Sequence, residues 1–142
     1  MKILALDIGT KRIGVAKANT ILSIATPLSI ILRDKKTDLD IVSEVKKLII
    51  ENSSDKILLG LPMTLSGKEE HSAKYVRKFG DLLASELNIE VLYWDERFSS
   101  VSAERVLIQG GVSRQKRKGK VDQIAATIFL QNYLDYLERG IK

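Results

Sequence analysis

Apolar and polar positions follow two periods along this chain, and the changes of period divide it into elements. Lys2 to Ile8 is apolar and β-compatible, Gly9-Thr10-Lys11 is a turn, and Arg12 to Ala18 resumes an apolar strand, which predicts a hairpin. A third strand follows over roughly Ala25 to Leu32. Thr37-Asp38-Leu39-Asp40 has the form of a helix start, with the Thr37 hydroxyl placed to accept a first-turn N–H and acids where the helix dipole favours them. Ile41, Val45, Leu48 and Ile49 keep helical spacing to about Asn52. Lys56 to Leu61 is a near-continuous aliphatic run closed by Gly60-Leu61-Pro62, which suits a strand covered on both faces. Glu69 to Leu87 reads as a helix with Ala73, Val76, Phe79, Leu83 and Leu87 on one stripe and a stop at Asn88. Ile89 to Trp94 is a fifth strand. A helix from about Ser100 to Gly110-Gly111, a basic loop, and a last helix from about Lys120 to Glu138 complete the pattern.

Three initial strands joined by tight turns make an antiparallel meander, whereas strands reached through helices run parallel to the first. Right-handed crossovers then predict one α/β domain over residues 1–142: a five-stranded mixed sheet in the order 3-2-1-4-5 with helices on both faces. The carboxyl ends of strands one, four and five share one edge, where ligands bind in open α/β sheets.

Composition narrows the class. The 142 residues contain no Cys, 9 Gly and 2 Pro, with 44% hydrophobic and 29% charged residues, as in globular domains and unlike disulfide scaffolds or disordered chains. Asp7 interrupts the opening apolar run before a signal-peptide core is reached, and Pro27 breaks the longest apolar-rich stretch, Ile21 to Leu32, well short of a bilayer span. The expectation is a cytoplasmic protein with no membrane partner. Charge changes the picture more. The formal net charge is +5, from 23 Lys+Arg against 18 Asp+Glu, and Arg114, Lys116, Arg117, Lys118 and Lys120 hold the whole surplus within seven residues. A basic run can simply solvate a loop, but clustered cations also neutralise phosphates and release counterions.

Three acidic positions are out of place in such a pattern. Asp7 falls near the end of a central apolar strand, where a carboxylate loses hydration. It could cap the turn at Gly9-Thr10 or hold a hard cation. Asp95-Glu96-Arg97 leaves the fifth strand at the same edge. Asp122 opens a last helix that is apolar almost all round, with Val121, Ile124, Ala125, Ala126, Ile128 and Phe129, and that should lie deep against the sheet. Packed together, such carboxylates repel and take up a proton unless a cation sits between them. All-oxygen ligation favours Mg²⁺ or Mn²⁺, the chain offers one His and no Cys for a softer site, and a divalent pair is the usual means of phosphodiester hydrolysis. His71 reads as a surface residue and Tyr93 and Trp94 as core; Thr10, Lys11 and Arg12 could touch a phosphate from the hairpin beside Asp7.

Asp7-Ile8-Gly9-Thr10-Lys11-Arg12-Ile13-Gly14-Val15-Ala16, Gly60-Leu61-Pro62, Asp95-Glu96-Arg97-Phe98-Ser99-Ser100 and Lys120-Val121-Asp122-Gln123-Ile124-Ala125-Ala126, in this order, resemble the YqgF family of bacterial proteins over essentially the whole chain. The resemblance implies a ribonuclease H-like fold, a cytoplasmic location and a divalent-metal nuclease. That nuclease matures the 5′ end of pre-16S ribosomal RNA or, in an older description, resolves Holliday junctions. It puts the catalytic and metal-holding acids on Asp7, Glu96 and Asp122. Ala126 follows Asp122 by one turn, and Lys118 and Gly119 precede it, so a fourth acid present in some relatives is not matched, which leaves one-metal binding open.

The expected function is therefore a metal-dependent nuclease with Mg²⁺ or Mn²⁺ as cofactor. Its nucleic-acid contacts are expected at Arg114, Lys116, Arg117, Lys118, Lys120, Lys11 and Arg12. The substrate is precursor rRNA, alternatively four-way DNA; phosphate contacts and metal ligands do not read the 2′-hydroxyl and so do not separate the two. A monomer suffices for the first, and symmetric junction cutting needs a homodimer. A non-catalytic nucleic-acid-binding module is a third reading. The Asp-Ile-Gly-Thr turn also resembles the phosphate loop of actin-like and sugar kinases, but those close two such domains around a nucleotide and this length supplies one.

Overall fold

The strand β1 (Lys2–Ile8) is the axis of the molecule, and its neighbours explain why it is apolar on both faces. The computed structural model describes residues 1–62, 71–96 and 114–139, with side chains of the last stretch from 123 to 138. Antiparallel to β1 runs β2 (Arg12–Asn19), and β3 (Ile24–Leu32) continues the meander outward. On the other side β4 (Lys56–Leu61) and then β5 (Glu90–Asp95) run parallel to β1, so the sheet has the order β3-β2-β1-β4-β5 expected from the pattern.

Helix α1 (Asp38–Asn52) connects β3 to β4, and α2 (His71–Leu87) precedes β5. The start of α1 is a capping box: Asp40 N–H donates to Thr37 Oγ1 at 3.1 Å and Thr37 N–H donates to Asp40 Oδ2 at 2.9 Å, so two otherwise orphaned amides are satisfied. Helix α3 (Arg114–Arg139) crosses the opposite face. Its C-terminal half is pinned to the tip of the β2–β3 hairpin, where Gln131 accepts from the Ala25 amide at 2.9 Å and donates to the Ser23 carbonyl at 3.0 Å.

Strand alternation sorts the core into two layers. Leu4, Leu6, Ile13, Val15, Ile31, Ile57, Leu59 and Leu61 face α1 and α2 and meet Ile41, Val45, Val76, Phe79 and Leu83. Ile3, Ala5, Ala16, Ala18 and Leu58 face α3 and meet Ala126, Phe129, Leu130 and Leu134. Each large side chain fully buried this way contributes about 1.5–3 kcal/mol.

Residues 114–120 were expected in a loop with the last helix beginning near Lys120, but Arg114, Lys116, Arg117, Lys118 and Lys120 stand in the first two turns of α3. Arg, Lys and Gln are strong helix formers, and the single Gly119 costs only about 1 kcal/mol; a run without apolar positions carries no periodicity to reveal this. Strand ends differ from expectation by a residue: β2 continues to Asn19, β3 begins at Ile24, and β5 spans Glu90–Asp95. The helix expected over Ser100 to Gly110, and the start of the second helix at Glu69, fall outside the described residues.

Candidate functional site

Side-chain parity gathers the acids on one face. Along β1, Ile3 and Ala5 point toward α3, so Asp7, two residues on, points there too. Asp7 is 5% exposed and is the one buried charged residue among those described. Across the sheet its register partner on β2 is Gly14; on β4, Leu6 pairs with Leu59, which puts Asp7 level with Gly60. On β5 the residues facing α3 are Leu92 and Trp94, and Glu96 follows two residues later with the same parity. The Glu96 amide donates to the Leu61 carbonyl at 3.2 Å, continuing the β4–β5 ladder one residue past the strand.

The Glu96 side chain turns back over β4. A Cβ built on Gly60 would lie 2.2 Å from Glu96 Oε2 and 2.7 Å from the Phe129 ring, so carboxylate and ring occupy the space a side chain at 60 would take. Glu96 Oε2 is closed to solvent. Gly60 and Asp7 are one strand apart, roughly 5 Å. The structure thus brings Asp7 and the Glu96 carboxylate to one patch of sheet under α3.

Position 122 lies on the backbone of the helix that covers this face. The C-terminal half of α3 is tied to the β2–β3 tip, and Phe129 packs on Gly60, so the helix runs from the acidic edge toward the hairpin tip. Position 122 lies two turns before Phe129, about 10 Å along the axis, and one turn before Ala126 on the buried stripe. The side chain of Asp122 is outside the described residues. Among the described residues no three His, Asp or Glu side chains form a metal cage.

The donor chemistry fits a hard divalent cation. A buried carboxylate on β1 and a half-buried one at the β5 exit, whose Oε2 is closed to solvent, lie beside bare glycine backbone and offer oxygen ligands only. Burial and mutual repulsion both disfavour two charges there unless positive charge compensates.

The turn beside Asp7 is held by residues that the sequence did not single out. Gly9 N–H donates to the Arg12 carbonyl at 2.9 Å, closing the turn, and the Arg33 amide donates to the Lys11 carbonyl at 3.0 Å. The Arg33 guanidinium donates through Nη1 to the Gly9 carbonyl and through Nη2 to Tyr75 Oη at 2.5 Å, while lying 5.2 Å from the Tyr75 ring centre. Tyr75 in turn donates to Asp38 Oδ1 at 3.0 Å. Burial, then the bond to Asp38, pushes the Tyr75 hydroxyl above its ordinary pKa of 10.0. Lys11 is exposed and Arg12 half-buried at this turn, at the same edge as the acids. His71 is exposed, and Tyr93 and Trp94 pack against the two cores as expected.

A cavity of about 450 Å³, lined by Lys2, Lys17, Leu22, Ile24 and Asn52 among others, opens at the opposite edge of the sheet and contains none of these acids.

A sequence profile described as RuvX, Holliday junction resolvase, matches residues 1–136. The chain belongs to the RuvX (YqgF) family. Relatives of this RuvX chain include proteins named "Putative pre-16S rRNA nuclease" from Agathobacter rectalis, 39% identical over 141 residues that make up 99% of both chains, and from Clostridioides difficile, 43% identical over 136 residues covering 95% of this chain and 94% of the other. Among solved structures, the Thermus thermophilus RuvC in complex with a Holliday junction is similar at 13% identity with a TM-score of 0.60, covering 99% of this chain and 96% of that one. The fowlpox virus resolvase in complex with junction DNA is similar at 15% identity with a TM-score of 0.62, covering 96% of this chain and 99% of that one. These likenesses show the fold, which is ribonuclease H-like, as the family resemblance implied, with the strand order expected from the pattern.

Proposed function

We propose that this RuvX-family chain is a divalent-metal-dependent nuclease whose centre is Asp7, Glu96 and Asp122 and whose substrate is precursor 16S rRNA, cut in maturation of its 5′ end. The single observation that carries the reading is the Glu96 carboxylate turned over Gly60, one strand from the buried Asp7, under the helix that carries Asp122. Relatives named for a pre-16S rRNA nuclease at about 40% identity over nearly their full length support the substrate.

In this reading Asp7 and Glu96 would hold the cation from the sheet, and Asp122 would complete the set from the helix. When bound, Mg²⁺ or Mn²⁺ supplies the positive charge that activates water and offsets charge on the leaving oxygen. The first turn of α3 carries no acid, and five cations lie in its first two turns, where the helix dipole makes them unfavourable for the free protein. A phosphate backbone at that end meets both the positive end of the helix dipole and the cations, so the same arrangement becomes favourable with substrate. Lys11 and Arg12 supply a second grip beside Asp7. The whole chain acts as one nuclease domain, and an rRNA substrate sets its work in the cytoplasm. Among the described residues no helix is long and apolar enough to cross a membrane.

The family description favours a second substrate, the four-way DNA junction. Side-by-side cleavage of precursor 16S rRNA and a junction with Mn²⁺ or Mg²⁺, with mapped ends and Asp7→Asn as control, decides between them. Precursor cut at one 5′-flanking position by wild type alone is the expected result. Symmetric junction cutting by a dimer favours the second substrate. Chelator-insensitive binding without cleavage of either would leave a non-catalytic binding module.

A further inference from the structure

We propose that Gly60 is a positioning residue: its missing side chain is the seat that lets Glu96, leaving the sheet from β5, present its carboxylate toward Asp7 on β1. The need for such a seat follows from the strand order. β5 and β1 are separated by β4, two strand spacings of about 10 Å in all, more than one Glu side chain spans along the sheet surface. The carboxylate must cross over β4, and any side chain at the crossing point would stand in its way. Position 60 is that point: it pairs with Trp94 on β5, lies level with Asp7 on β1, and shares the parity that faces α3. An added Cβ would sit 2.2 Å from Glu96 Oε2, closer than any real contact allows, and 2.7 Å from the Phe129 ring, which closes the seat from the helix side.

Phe129 is fully buried between the helix and the sheet, so its ring has little room to give, and the half-buried Glu96 side chain makes room only by turning its carboxylate off Gly60. A glycine within a strand otherwise weakens it and is expected where another group approaches closely. Flanking Asp7 on its other side is Gly14, so both cross-strand neighbours of the buried acid lack side chains. The seat is a statement about packing; its consequence for metal affinity rests on the nuclease reading above.

The test is a cycle of Gly60→Ala against Glu96→Ala in a Phe129→Leu background, which clears the ring from the disputed space, read by thermal unfolding. Calorimetric Mn²⁺ titration of Gly60→Ala alone, with Asp7→Asn as control, is the second readout. The expected result is a loss of about 5 °C or more in Tm from Gly60→Ala with Glu96 present, and most of that loss absent in the Glu96→Ala partner. Mn²⁺ affinity falls about tenfold or more in Gly60→Ala and partly returns with Glu96→Asp, whose carboxylate is one methylene shorter. Equal Tm losses with and without Glu96, or wild-type Mn²⁺ affinity in folded Gly60→Ala, would overturn the proposal. If Gly60→Ala does not fold beside Glu96, folding of its Glu96→Ala partner supports the seat, and failure of both overturns it. Coupling in the cycle without Asp7-dependent Mn²⁺ binding in wild type would instead sink the metal reading and leave the seat standing.

Discussion

The two faces of the central sheet are built from residues of different size. Toward α1 and α2 the sheet presents branched aliphatics at every buried position, from Leu4 and Leu6 to Ile57, Leu59 and Leu61. Toward α3 it presents Ala5, Ala16, Ala18, Gly60 and the buried Asp7 beside Ile3 and Leu58, and α3 answers with Ala125 and Ala126 before Phe129 and Leu130. Large interlocking side chains hold a fold but leave no room for chemistry. Small ones let a helix come close and leave space at the strand ends for carboxylates. One face is therefore read as the anchor and the other as the working surface, although both belong to the same five strands.

The strongest way to break this contrast is to weaken the anchor. Leu59 is fully buried on the α1/α2 face, and Leu59→Ala should cost about 2–5 kcal/mol in denaturant unfolding. The protein that remains folded should cleave at an undiminished rate; a matching collapse in that rate would erase the distinction between the faces. Overfilling the working face comes next. Ala126 is fully buried between α3 and the sheet, so Ala126→Leu should cost about 1–3 kcal/mol and lift the helix from the acids. Cleavage under conditions where the variant is folded should fall, and unchanged turnover would argue that helix position does not matter.

A smaller effect sharpens the role of the helix end. Replacing Lys116, Arg117 and Lys118 together by Gln should weaken RNA binding and lower the slope of log affinity against log salt by about 2, since each single-strand phosphate contact contributes roughly 0.7. Far-ultraviolet circular dichroism should show the fold intact. An unchanged slope would return the cluster to a solubility role.

The smallest effect comes from half-buried tyrosines, Tyr75 and Tyr93 on the anchor side and Tyr133 on α3. Burial, with the Asp38 bond adding to it, raises the Tyr75 pKa above 10.0, and Tyr93 and Tyr133 are raised as well, again by burial first. The folded state holds these protons more tightly than the unfolded chain. Their contribution is thus intact below pH 10 and is lost as pH rises through the folded values. Tyr75→Phe should flatten the fall in stability above pH 10 without removing it, as measured by unfolding midpoints from pH 9 upward; an unaltered profile would contradict the assigned cause.

Most of the fold was legible because it rests on local and periodic signals. Thr37 and Asp40 announce the start of α1 by capping chemistry alone, and the aliphatic run over Lys56 to Leu61 marks a strand covered on both faces. The start of α3 at Arg114 was not legible, because seven residues without an apolar position carry no helical period however well they suit a helix. At the site, Asp7 stood out as a charge in an apolar strand. The seat at Gly60 did not, since it depends on Glu96 from 36 positions later and Phe129 from still further along. A glycine inside the aliphatic run was the available hint, and its meaning is visible only once three strands and a helix are assembled. The clamp from Arg33 to Gly9 and Tyr75 was equally invisible, joining three elements whose spacing carries no motif.

The central claim is that Asp7 belongs to the working face for chemistry and not for packing, and one substitution measured in two ways tests it directly. Asp7→Asn keeps the shape of a side chain that is 5% exposed, removes its charge and turns one acceptor oxygen into an amide donor. The account predicts that, with Mn²⁺ present, this variant loses cleavage of precursor 16S rRNA while its far-ultraviolet circular dichroism measured without metal matches that of the wild type. Wild-type cleavage by the variant would contradict the account.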